Sequence, residues 1–282
     1  MIERSLAFGE NEGLIGTICE PSGPVSASRG LGMILFNAGV IHRIGPHRLN
    51  VRLARKLAEH GIPSIRFDLA GLGDSARPSG NHSFEAQAVV DLRSAMDALA
   101  SQTQTRRFAL FGFCSGAVHG YATSFADDRV AGLLLYDGYR YLTAKARWNY
   151  YAMRVKEHGL FRAGLGWVQR RTSAAFRRAG AAEGEVGFVT TGPSKTDFAE
   201  GLKTLLNREV KIFLIYSGEG FELYNYERQF HDAFGGLGVA HRVNVGFLPA
   251  LDHAATSIAA QADLVLRIQR WAVDLSNAPT TA

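Results

Sequence analysis

The sequence predicts an α/β fold, a mostly parallel sheet with helices on both faces and one helical insertion. Three features point there. Short apolar runs alternate with segments of helical period from residue 31 onward, polar and glycine-rich clusters fall where the runs end, and the alternation lapses once, over 139–203, before resuming. The 282 residues, 46% apolar and 20% charged, suffice for a sizeable core and exclude a disordered chain.

The elements follow in order. Residues 5–8 and 14–20 flank a Gly-Glu-Asn-Glu-Gly turn and read as a hairpin, and the Ser, Gly and Pro residues of 21–30 form a loop. Residues 31–36 are wholly apolar and therefore a buried strand. Residues 48–59 carry Leu49, Leu53 and Leu57 at helical spacing. The pair then repeats: strand 63–67, helix 84–100, strand 108–111, helix 115–125, strand 130–136. After the lapse come strand 210–216, helix 224–234, strand 240–245 and helix 257–274, with a loose tail over 276–282. Residues 1–138 and 204–282 thus make the core, and 139–203 a basic lid. Continuous apolar strands joined by helices imply a parallel sheet covered on both sides, with ligands bound beyond the carboxyl ends of its strands.

The formal charge of +5 is segregated. Ten Lys or Arg against Glu157 give 140–178 a charge of +9, which leaves the remainder at −4. Such a segment is either a solvated helical face or a local attractor of an anionic partner. Nucleic acid is not expected, since the basic residues lie in one insertion without a recognition motif. No apolar run is long enough to span a bilayer, and no secretory signal is visible, so the expected location is the cytoplasm. Cys19 and Cys114 read as free thiols. No Cys/His cluster has metal-ligand spacing, and no cofactor is expected.

Four strand ends carry the chemistry. Phe108-Ala-Leu-Phe-Gly112-Phe-Cys114-Ser-Gly116 runs a strand into a helix through Gly-x-Cys-x-Gly, the sharp turn that exposes a nucleophile. The spacing selects Cys114 rather than Ser115, because a serine nucleophile there would require glycine where Phe113 stands. The positive end of the following helix favours a thiolate. In Asn37-Ala-Gly39-Val40, the backbone N–H of Val40 can join that of Ser115 in holding an oxyanion. In Arg66-Phe-Asp68 through Gly73-Asp74-Ser75, the glycines suit a tight loop. Finally, Asp252-His253 lies between the last strand and last helix, which places His253 as general base or thiolate partner. For the acid, Glu222 is preferred over Glu219 in the segment after strand 210–216, with Asp137, at the end of the preceding strand, a third candidate.

Together these residues, with His42-Arg43-Ile-Gly45-Pro-His-Arg48, resemble α/β-hydrolases of the serine-aminopeptidase-like group, and most closely the exosortase-associated hydrolases. The resemblance covers about 30–138 and 210–275. It implies the α/β-hydrolase fold with a lid after the sixth strand, Cys114 and His253 as catalytic pair, and hydrolysis of an ester or thioester. Members commonly carry serine in the elbow, so Cys114 is a departure. The resemblance also suggests that His42, Arg43 and Arg48 line the acyl site, against a reading as ordinary helix-start residues. The expected activity is covalent acyl catalysis on a small-molecule acyl substrate, with coenzyme A or a carrier protein as the anionic acyl carrier that the basic lid suits. An acyltransferase is the alternative within catalysis, and a non-catalytic binding protein the alternative outside it.

Overall fold

A computed structural model describes residues 1–22, 30–157 and 192–278. The described strands are β1 (Ile2–Phe8), β2 (Leu14–Glu20), β3 (Leu31–Leu35), β4 (Ser64–Phe67), β5 (Arg107–Phe113), β6 (Val130–Tyr136), β7 (Lys211–Ser217) and β8 (Asn244–Leu248). They form one eight-stranded sheet in the order β1-β2-β4-β3-β5-β6-β7-β8. β1 with β2 and β2 with β4 are antiparallel, and every other neighbour pair is parallel. β3 is buried at every position, which is why its sequence does not alternate.

Helices cover both faces. α1 (Leu49–Ala58) and α6 (Ile258–Asn277) pack Leu49, Leu53, Leu57, Leu264, Ile268 and Trp271 on one side. On the other side lie α2 (Phe84–Gln102), α4 (Lys195–Asn207) and α5 (Gln229–Phe234), with Leu92, Met96, Leu99, Phe198, Leu202, Phe230 and Phe234. α3 (Gly116–Ala126) follows β5 directly and adds Ala117 to this second layer. Ser83, Ser194 and Ser257 cap α2, α4 and α6, each hydroxyl accepting from the N–H three residues on.

The expected elements are present, with three differences. The helix read over 224–234 is only α5, because Asn225 takes its hydrogen bonds elsewhere: its amide donates to the carbonyls of Ala146 and Phe221. The strand read over 240–245 forms at Asn244–Leu248 instead. Val239, Ala240 and Val243 are buried, but they pack from a turn in which Arg242 N–H donates to the Val239 carbonyl. Residues 276–277, read as loose tail, close α6, and Ser276 is buried.

Residues 144–157 are helical. α4 buries Phe198, Ala199 and Leu202, so core packing resumes at Lys195, inside the stretch read as lid. Phe161, Trp167 and the five arginines from Arg162 to Arg178 lie outside the described residues. No helix among the described residues is long and apolar enough to cross a membrane.

Candidate active site

Parallel register brings four strand ends to one edge. Phe113 pairs with Tyr136, Tyr136 with Ile215, and Ser217 with Leu248. The ladder continues one step beyond β5 and β6: Cys114 N–H donates to the Tyr136 carbonyl at 3.0 Å and Asp137 N–H to the Ile215 carbonyl at 2.8 Å. Cys114 and Asp137, each the first residue past its strand, therefore emerge on adjacent strands.

Both residues are held at positive φ, 53° for Cys114 and 51° for Asp137. For side-chain-bearing residues this is a strained conformation that the surrounding structure must enforce. At Cys114 the enforcement is visible. A Cβ on Gly112 would lie 2.8 Å from Ala117 Cα and from the Gly116 carbonyl oxygen, and one on Gly116 would lie 2.8 Å from the Asn37 carbonyl oxygen. Only glycine at both positions lets strand, helix and the loop after β3 close on the elbow.

His253 arrives on the loop after β8. Tyr136 Oη donates to the Asp252 carbonyl at 2.7 Å, and Gly218 N–H donates to that of Leu251 at 2.9 Å, which pins the loop. The Phe113 ring, stacked on Tyr136 at 4.8 Å, packs against the imidazole at 4.9 Å. The carboxylate that reaches His253 is Asp137. Its Oδ2 accepts from Nδ1 at 2.8 Å, the tautomer being set by the ionised partner. This corrects the preference for Glu222. Glu222 lines the cavity, and Glu219 accepts from the backbone N–H of His253 rather than from its ring. The physical reason is register: β6 lies between β5 and β7, so the side chain that follows it stands beside Cys114.

Asp137 is completely buried as a side chain and bears four donors. Ser217 Oγ (2.6 Å) and His253 Nδ1 (2.8 Å) meet Oδ2, while Ser217 N–H (2.8 Å) and Arg140 (2.9 Å) meet Oδ1. Burial pulls its pKa upward, but His253, Arg140 and Ser217 together outweigh burial and hold the carboxyl below its ordinary range. Arg140 and Ser217 escaped the sequence reading. The signal for this site was Asp137-Gly138 standing directly after the apolar run 130–136.

The same network sets the other two groups. A hydrogen bond with Asp137, then one with Cys114, pushes the His253 pKa up to about 9. The bond with His253 lowers the Cys114 pKa despite burial, with help from the Ser115 N–H. A thiol lowered beside an imidazole raised is a shift in the direction of a thiolate–imidazolium pair.

The loop after β3 faces Cys114 across a narrow gap. Gly39 N–H donates to Ser115 Oγ at 2.7 Å and Ile41 N–H to the Ala38 carbonyl at 3.1 Å. The Val40 N–H between them makes no hydrogen bond among the described residues, and the Val40 side chain is exposed. Beneath this loop, buried Asn37 donates to the Ile41 carbonyl and to Asp68 Oδ1 (2.9 Å) and accepts from Leu69 N–H.

Asp68 also accepts from Arg43 through its backbone N–H and its guanidinium. His42 and Arg43 both face Asp74 as well. This is a correction to their expected place: His42 and Arg43 brace the loop, and Arg48 begins α1 at φ 64°. None of the three lines the cavity at Cys114. The ligand atoms of His42, Asp68 and Asp74 converge, but Arg43 Nη1 already stands among them as their cation.

A cavity of about 650 Å³ opens over the elbow, walled by Cys114, Asp137, His253, Tyr139, Arg140 and Glu219 among others. Strand order, elbow, and a histidine after the last strand are those of the α/β-hydrolase fold. A model of the alpha/beta hydrolase family matches residues 40–276, and the chain belongs to that family. No curated protein matches it. Among solved structures it is similar to an α/β serine hydrolase without a lid from Xanthomonas campestris, at 14% identity over 99% of this chain and 96% of that one, with a TM-score of 0.56. It is also similar to an esterase from Pyrococcus furiosus (12%, 96% and 90%, 0.57). The esterase domain of a Rhodothermus marinus protein matches comparably (14%, 97% and 98%, 0.53). At such identities the likeness is one of fold.

Proposed function

We propose that this hydrolase cleaves an ester or thioester through an acyl-cysteine intermediate. One observation carries the reading: the hydrogen-bonded line from Asp137 through His253 to Cys114, at a strained strand–helix corner. The Cys114 thiolate adds to the carbonyl carbon while the N–H groups of Val40 and Ser115 hold the developing oxyanion. Collapse of the tetrahedral species breaks the bond to the leaving oxygen or sulfur, which takes its proton from the His253 imidazolium. Water then attacks the acyl-cysteine and gives a proton to His253. The carbon–sulfur bond breaks, and the thiolate–imidazolium pair is restored. Asp137 orients the imidazole and stabilises its charged form throughout.

The test is an intact-mass measurement after brief exposure to p-nitrophenyl acetate. The wild type should gain one acetyl group on Cys114, and Cys114→Ala should gain none and lose turnover. Undiminished turnover in Cys114→Ala would remove the reading. Adding an alcohol acceptor and analysing products separates hydrolysis from acyl transfer.

For the acyl carrier, the reading is an anionic one such as coenzyme A or a carrier protein. Exposed Arg147 and Lys156 lie on the helical stretch 144–157, and Tyr139, Arg140 and Tyr141, just before it, line the cavity. The basic stretch thus begins at the cavity wall, and it is read here as the dock for that carrier. kcat/KM for acetyl-coenzyme A should fall as ionic strength rises, whereas a flat response would discard the docking.

A further inference from the structure

A second, smaller cleft of about 260 Å³ lies on the other side of the elbow, beneath the loop after β3. It shares Ser115 and Val118 with the main cavity, so the two adjoin at the residue that follows Cys114. Its walls are apolar, chiefly Val40, Leu69, Leu72, Phe84 and Val118. The polar side chains on it are mostly engaged. Asn37 is spent on Asp68, Ile41 and Leu69, Ser115 Oγ accepts from Gly39, and Glu85 turns to Ser83 and its own N–H.

His119 is the exception. It projects from the second turn of α3, is 6% exposed, and its buried Nδ1 has no hydrogen-bond partner among the described residues. The Phe84 ring meets the imidazole edge-on at 5.3 Å. A buried polar atom without a partner costs stability, and a hydrophobe of similar size would avoid that cost. Burial also lowers the His119 pKa, so near neutral pH the ring is uncharged, with one nitrogen able to donate and the other to accept.

We infer that this cleft receives the acyl chain and that His119 makes it select acyl groups bearing a hydroxyl part-way along the chain. The inference rests on the acyl-cysteine reading above for where the carbonyl sits. With its oxygen toward Val40 and Ser115, an acyl group on Cys114 has the cleft directly beside it. A hydroxyl both donates and accepts, so it can pair with either tautomer of a neutral imidazole. A plain alkyl chain fills the cleft and leaves the ring unpaired, the asymmetry that gives polar pockets their discrimination.

The experiment uses unreactive probes: the N-methyl amides of hexanoic acid and of the hydroxyhexanoic acids with the hydroxyl on the third to the sixth carbon. Calorimetry measures their binding to the full chain, its His119→Leu variant and its His119→Gln variant. At least one hydroxy amide should bind the wild type about tenfold more tightly than the plain amide, the scale of one well-made buried hydrogen bond. His119→Leu should erase that ratio, and His119→Gln should retain part of it. Leu72→Trp, which fills the cleft from a different element, should weaken all hexanoyl amides relative to the acetyl amide. Equal binding of plain and hydroxy amides by the wild type would overturn the inference, as would a preference surviving in His119→Leu. An acyl adduct on Cys114 without hydroxyl preference defeats the subsite and keeps the hydrolase. A hydroxyl preference without any adduct does the reverse.

Discussion

Cys114 is read by its neighbours. Its thiol is lowered chiefly by a hydrogen bond with His253, so iodoacetamide should alkylate it well below pH 9, the ordinary thiol value, and the acid limb of that profile should move upward in His253→Ala. An unmoved limb would mean that the two groups do not share a proton. Asp137→Asn removes the charge that holds His253 in its tautomer, and kcat should fall by roughly 100- to 10,000-fold. Glu222→Gln should cost less than tenfold. Steady-state kinetics on one aryl ester decides between the two carboxylates. The meeting of Cys114 and His253 at one site was legible because each occupies a local pattern, Gly-x-Cys-x-Gly in one case and a slot between last strand and last helix in the other. The carboxylate was not, since Asp137, Glu219 and Glu222 all follow strands. What separates them is which strand lies next to β5, and that is a matter of sheet order rather than of local sequence.

At the scale of elements, the loop after β3 is the part built with most redundancy. Asn37 ties it to Asp68 and to Leu69, both buried, so Asn37→Leu would take one donor from Asp68, which keeps Arg43, and would leave the buried Leu69 N–H without its acceptor. A loss of about 1–3 kcal/mol is expected, measured as a lower denaturant midpoint at unchanged slope. No loss would mean that water replaces the amide. The parallel strands and long helices were readable because each presents a period that its burial enforces, and β3 is the clearest instance. Reading failed where side chains override period. Asn225 stops a helix by taking two carbonyls, and Arg242 draws its segment off the ladder by bonding the Leu206 carbonyl and Asn207. Neither interaction leaves a trace in hydrophobicity. The place of Arg43 was misread for a related cause: helix-start polarity looks the same whether it faces a ligand or a buried Asp68.

For the whole molecule, the buried pair Asp137 and His253 couples stability to pH. The Asp137 pKa is lowered in the fold, so its contribution is complete above the ordinary 3.8 and is lost as pH falls through the folded value. That of His253 is raised to about 9, so its contribution is complete below the ordinary 6.5 and is lost as pH rises through about 9. The Tm advantage of wild type over His253→Ala should therefore be largest between pH 4 and 6.5 and should shrink towards pH 9; a difference growing over that interval would contradict the pairing. Charge is divided as function would require, with an acidic body and a basic 140–178 stretch, a separation the sequence alone discloses. Ending the sixth strand on the carboxylate that meets His253 has a further outcome. The turn after the seventh strand lends Ser217 to that carboxylate and Glu219 to the backbone of His253, and Gly220 leaves room for the Arg140 guanidinium, but Glu222 and Leu223 line the cavity and make no side-chain hydrogen bond to Asp137, Arg140 or His253 among the described residues. Evolution, or a designer randomising 222 and 223, can rewrite which guests are admitted there while those three side chains keep their partners.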